Sequence, residues 1–263
     1  LVGLGGTVIL DELIRKHREI VLKHFRGRIL DYAIGIKYAY CVVQEENRKA
    51  MGLAYVSYQD IYSCGVADKP SASDVFDRFS EPNMINRTLF LACINAMSQY
   101  LIWHRGVGLE RMSYGNLIDH IANQIRSTDT VVVIGNMVPL VRKIRGMTDR
   151  IYVFERDPRL RIEDALPDYL EYRYLEEADI VIITGVTLLN DTIDPILKYT
   201  SESALKIIVG PTAQLLPGVL LEKFDMVASL RVDNIEAVAD IIKRGGGRWS
   251  YSKFCSDYIA TRL

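Results

Sequence analysis

Val131-Val132-Val133-Ile134-Gly135 decides the fold of this chain. A β-branched run without polar alternation is what a strand buried on both faces of a parallel sheet requires. Three similar runs follow. Ile151-Tyr152-Val153-Phe154 stops at Glu155, Ile180-Val181-Ile182-Ile183 at Thr184-Gly185, and Ile207-Ile208-Val209 at Gly210-Pro211. Helical stretches lie between them, so the second half is expected to be an α/β, mainly parallel, doubly wound sheet. Such sheets bind ligands beyond the carboxyl ends of their strands, where the glycines and Glu155 fall.

The first half has a different pattern. Leu10, Leu13, Ile14, His17, Ile20, Val21, His24 and Phe25 recur at helical spacing, and Gly27 can end that helix. Two strand-like segments, Ile29–Val43 and Gly52–Tyr58, flank the polar turn Glu45–Lys49 and predict an antiparallel hairpin. A short helix is expected near Ala72–Phe79, and a long one from Ile85 to Trp103. This makes a smaller α+β unit. The seam falls at Arg105-Gly106-Val107-Gly108, so the expected domains are 1–108 and 109–263. Asn116–Arg126 reads as a helix, and Trp249–Leu263 as a terminal helix.

The 263 residues are 49% hydrophobic and 25% charged, with a formal net charge of −1. That balance carries no nucleic-acid footprint. The arginines between Arg142 and Arg161 are interleaved with acids and read as a solvated face. No apolar run approaches the ~20 residues of a membrane span. The opening Leu1–Leu10 lacks the basic lead of a signal peptide. Cys41, Cys64, Cys93 and Cys255 are dispersed and read as free thiols. A cytoplasmic protein with no nucleic-acid or membrane partner is expected, and a homo-oligomer is left open.

Glu155 follows Gly135 by twenty residues, the distance at which an acid meets ribose hydroxyls in dinucleotide-binding folds. The loop Gly135-Asn136-Met137-Val138-Pro139-Leu140 has one glycine, however, which disfavours close approach of a pyrophosphate. Thr184, Gly185, Thr187 and Asn190 follow the third strand, and Thr187 or Asn190 can cap a helix or face an anion. Gly210, Pro211 and Thr212 form a second small turn. Asn83, Asn86 and Asn95 of the first unit are expected to close the site from the other side. His17, His24, His104 and His120 are read as packing or surface residues. No zincin, nucleophile-elbow or P-loop motif occurs.

The segments Val131–Val141, Val153–Arg156, Ala178–Thr192 and Val209–Thr212, with Gly245-Gly246-Gly247, resemble the family called "putative heavy-metal chelation" domain, a Rossmann-like domain of unknown function. Gly52-Leu53-Ala54-Tyr55 and Ala92-Cys93-Ile94-Asn95-Ala96 resemble the enolase-N-terminal-like domain that precedes it. Phe90 stands where a glycine is usual, and Thr212 replaces the commoner serine. The resemblance implies a metal ion or metal chelate, but soft metals want grouped thiolates or imidazoles, and the expected cleft offers oxygens and amides. Three readings follow: a protein handling a metal chelate or related small anion between the domains; a transferase using a nucleoside-containing cofactor such as S-adenosylmethionine; or a non-catalytic interaction module.

Overall fold

The computed structural model describes residues 8–61 and 65–262; residues 1–7, 62–64 (with Cys64) and 263 fall outside. Helix α1 (Ile9–His24) leads into strands β1 (Arg28–Ile34), β2 (Tyr38–Glu45) and β3 (Arg48–Tyr55), followed by the long helix α2 (Met84–Arg105). Next come β4 (Met112–Tyr114), α3 (Leu117–Ala122), β5 (Val131–Ile134), α4 (Val138–Ile144) and β6 (Ile151–Glu155). After β7 (Leu166–Pro167) and α5 (Tyr172–Leu175), β8 (Ile180–Thr184), α6 (Ile193–Tyr199) and β9 (Leu205–Val209) continue the alternation. The last elements are α7 (Pro217–Leu220), β10 (Met226–Val232), α8 (Ile235–Lys243), α9 (Arg248–Tyr251) and β11 (Cys255–Thr261).

Two sheets form. Strands β1, β2 and β3 make an antiparallel meander, and the other eight lie in the order β4-β11-β10-β9-β8-β5-β6-β7. The six from β5 to β10 are parallel neighbours. Counted along the chain, they run 3-2-1-4-5-6, the order of a doubly wound sheet whose switch point lies between β5 and β8. The valine and isoleucine runs are buried on both faces, as the α/β reading required. Val132, Ile134, Val181 and Ile183 join a core that also contains Leu13, Cys41 and Tyr100. Val131, Val133, Ile180 and Ile182 face the opposite core with Ile121, Leu140 and Ile144. The first core therefore passes without interruption from α1 and α2 into the large sheet.

Three elements differ from the sequence expectation. Ile29–Val43 is two strands, because the chain reverses at Gly35–Lys37, where Gly35 N–H donates to the Tyr38 carbonyl at 2.9 Å. Ala72–Phe79 is a run of turns rather than a helix. Its apolar Val75, Phe76 and Phe79 are buried, but Ser71, Ser73 and Asp74 hydrogen-bond one another, a local alternative that competes with helix. The terminal segment is mostly β11, which pairs antiparallel with β10 and β4. Tyr258, Ile259 and Ala260 are fully buried between those neighbours, and tertiary packing overrides any helical reading there. No described helix is long and apolar enough to cross a membrane.

The two sheets are joined through backbone. A Cβ on Gly52 of β3 would meet Ala96 N at 2.1 Å and the Ala92 carbonyl at 2.3 Å. Only glycine lets α2 lie this close, with alanines on the facing turns. The outer edge of β3 is then satisfied by side chains rather than by another strand. Leu53 N–H donates to Gln214 Oε1 at 2.7 Å, and Tyr55 N–H to Thr212 Oγ1 at 3.0 Å. Asn95 Nδ2 donates to the Leu53 carbonyl at 2.7 Å and the Thr212 carbonyl at 3.0 Å. This arrangement covers an edge that would otherwise recruit a foreign strand.

Candidate functional site

A cavity of about 970 Å³ runs along the carboxyl ends of the parallel strands, under Lys37, Tyr38 and Tyr55 of the small sheet. The crevice rule for doubly wound sheets places a ligand there. Of the residues expected from sequence, Gly135, Asn136, Glu155, Thr184, Thr187, Asn190, Gly210 and Pro211 line it. Gly185, Thr212, Asn83, Asn86 and Asn95 are not among the lining residues. Gly185 packs against Ala213, and Thr212 and Asn95 are the joint just described. Asn83 caps α2 by accepting from Ile85 N–H and Asn86 N–H at 3.1 and 3.2 Å. Asn86 bonds Asp68 through both its amide groups.

The floor begins at Gly135, whose φ of 90° suits glycine alone and carries the chain sharply out of β5. The loop that follows is held by Glu155. Its Oε2 accepts Asn136 N–H at 2.9 Å, and its Oε1 accepts Asp157 N–H at 2.8 Å. Both carboxylate oxygens thus serve backbone donors, an assignment the twenty-residue spacing did not reveal. Asn136 spends its amide on the carbonyls of Leu160 and Ile162. Neither Thr187 nor Asn190 caps a helix. Thr184 caps the turn after β8, Thr187 Oγ1 donates to the Thr184 carbonyl at 2.8 Å, and Asn190 Oδ1 accepts from the Thr192 hydroxyl.

Two charged clusters, which residue spacing did not bring together, complete the walls. One contains Arg156, Asp168 and Glu171. Arg156 pairs with the buried Asp60 at 2.6 Å and lies 4.0 Å from Asp168, which is 3.8 Å from Arg161. Glu171 is only 2% exposed, and its Oε2 has no hydrogen-bond partner among the described residues. Burial, reinforced by the charge of Asp168, pushes its carboxyl up to about 8; Tyr172 and Arg156 oppose the shift. The second cluster, Arg248 and Asp257, comes from the chain after α8 and from β11. Arg248 Nη2 donates to Asp257 at 2.7 Å, while its Nη1 is buried without a partner among the described residues. Trp249, 66% exposed, lies on the same wall. A guanidinium N–H without an acceptor suits an anionic oxygen.

The donor set does not suit a bare soft metal ion. Among the described residues no group of three or more His, Cys, Asp or Glu could hold a metal. Cys41 and Cys93 do hydrogen-bond each other, but both are fully buried in the core. Cys255 reaches the cavity, yet burial pushes its thiol up to about 12, so it is a poor thiolate source. His17 is buried in α1 between the Leu13 carbonyl and Leu216 N–H, remote from these walls.

Comparison with known proteins agrees with this architecture. Two family profiles, both described as "Putative heavy-metal chelation", match residues 22–98 and 116–261. An uncharacterised protein of Methanocaldococcus jannaschii is 33% identical over 195 residues, 72% of this chain and 73% of its own. A solved structure of a protein of unknown function from Pyrococcus horikoshii superposes with a TM-score of 0.82 at 29% identity, covering 97% of this chain and 100% of that one. One from Desulfitobacterium hafniense gives 0.73 at 15% identity, over 95% and 100%, and so shares the fold. With one profile spanning more than half of its length, this chain belongs to the family described as "Putative heavy-metal chelation".

Proposed function

We propose that the protein binds a small, oxygen-rich anion, free or as a metal chelate, in the cavity along the strand ends. The observation that carries this reading is Arg248, whose buried Nη1 has no acceptor among the described residues on a wall of the cavity. Such groups recognise carboxylate oxygens, and a chelate presents the same oxygens while keeping the metal on its own ligands. Gly135, Asn136, Thr184, Thr187, Asn190, Gly210 and Pro211 form the contact rim, with Glu155 shaping the floor. Thr212 and Asn95 fasten the small sheet beside that rim. In this reading residues 1–108 form an enolase-N-terminal-like domain that roofs a Rossmann-like domain of residues 109–263, and the protein works in the cytoplasm.

A transferase using a nucleoside-containing cofactor is the second reading, favoured by the strand order and the Gly135–Glu155 spacing. The backbone donors already held by Glu155 weigh against it. A thermal-shift series separates the two, using citrate, nickel–citrate, nickel chloride and S-adenosylmethionine. A ligand at a hundred times its Kd adds about 2.7 kcal/mol, a rise on the order of 5 °C or more for a chain of this size. Citrate or its chelate is expected to give that rise, and Arg248→Met to remove most of it. A shift with S-adenosylmethionine alone, or with bare nickel alone, overturns the proposal.

A further inference from the structure

We propose that Glu171 meets the bound anion as a neutral carboxylic acid, its unpartnered Oε2 hydrogen-bonding to an oxygen of the ligand. The inference rests on the anion reading above and deepens it. Three observations carry it. Glu171 is one of the residues lining the cavity, although it is only 2% exposed. Its Oε2 has no partner among the described residues, and a buried polar atom left so is costly unless something else supplies a bond. Asp168 sits beside it and carries its own arginines, Arg156 at 4.0 Å and Arg161 at 3.8 Å.

A carboxylate here would face an anionic ligand with repulsion, whereas a carboxylic acid donates a hydrogen bond to it. Burial and Asp168 favour the acid, raising the group to about 8, against the pull of Tyr172 and Arg156. Tyr172 packs at a tilt against the ring of Tyr199, and Arg156 is fixed by the buried Asp60, so the groups facing Glu171 are themselves held in place. The acid keeps its O–H bond and donates it to a carboxylate oxygen of the ligand, which is the weaker base; above the midpoint the proton goes to solvent and leaves a carboxylate that repels the anion. Two neighbouring carboxyl groups in different environments are a common way to separate proton donor from ion.

The test uses the full chain with citrate, whose carboxyls stay ionised from pH 7.5 to 9.5, and ¹³C NMR of the Glu171 carboxyl. Glu171 is expected to titrate well above the ordinary carboxylate range. Citrate affinity should fall about tenfold per pH unit above that midpoint. Glu171→Gln, a permanent amide donor, should still bind citrate but with a flat profile. Asp168→Asn should move the break to lower pH, which a merely structural role would not do. Titration of Glu171 in the ordinary range near 4.3 overturns the proposal. An identical slope in Glu171→Gln overturns it too, while leaving the anion reading standing. If neither citrate nor nickel–citrate binds at any pH, both fall.

Discussion

Asn95→Leu should unfold this protein more easily without any ligand being present. The side chain is fully buried, and its Nδ2 is shared between the Leu53 carbonyl on β3 and the Thr212 carbonyl on the turn after β9. Leu53 N–H points away from β2, towards Gln214, so its carbonyl also faces outward from the small sheet. Leucine keeps the volume and removes both donors. Each buried carbonyl left unpaired costs about 1–3 kcal/mol, and losing the unpartnered Asn95 Oδ1 returns about 1 kcal/mol of that. The net loss is then about 1–5 kcal/mol, or a fall in Tm of roughly 2–20 °C. Urea denaturation followed by fluorescence and circular dichroism measures it, with Asn83→Ala as control; that exposed cap should cost about 1 kcal/mol. A loss below about 1 kcal/mol in Asn95→Leu would refute the view that this amide fastens the two sheets together.

Acid should weaken the fold through His17. Burial holds its imidazole near 4 instead of 6.5, so the contribution is full above pH 6.5 and lost as pH falls through 4. His17→Gln should remove on the order of 3 kcal/mol of pH dependence from a denaturation series between those limits; an unchanged series rejects this. Glu171 acts in the opposite sense, because its raised value makes stability fall from about pH 4.5 to 8. Glu171→Gln should flatten that alkaline limb in the same assay. Gly52→Ala would drive a methyl into the α2 backbone, and a loss of at least about 3 kcal/mol is expected. Near wild-type Tm in that variant would mean that α2 can retreat at little cost.

The large sheet was legible because Val131–Ile134, Ile151–Phe154, Ile180–Ile183 and Ile207–Val209 are apolar on both faces, a pattern that only a doubly covered strand tolerates. β11 was not, because Ser256 and Asp257 interrupt its apolar character and its partner β4 lies far away in sequence. The strand-end glycines and threonines of the candidate site could be read from their position after those runs. Glu171 and Arg248 could not. Nothing in their neighbours' spacing marks them, and they reach one cavity only after the turn following β7 and the segment following α8 have folded onto the rim. Glu155 shows the converse: its spacing was correct for a sugar contact, yet the two N–H groups nearest to it claimed its oxygens first.

The position of β11 has a consequence for synthesis. β4 pairs in its sheet with β11 alone, and β11 lies between β4 and β10. A ribosome that has completed Met112–Tyr114 must therefore make the rest of the doubly wound sheet before that strand finds a neighbour. Closing so long a loop is slow compared with forming the local helices. Asp257, the partner of Arg248, is delivered by that same late strand. A nascent chain stopped before Cys255 would carry most of its hydrophobic core and Arg248 itself, but not the carboxylate that holds the guanidinium in place.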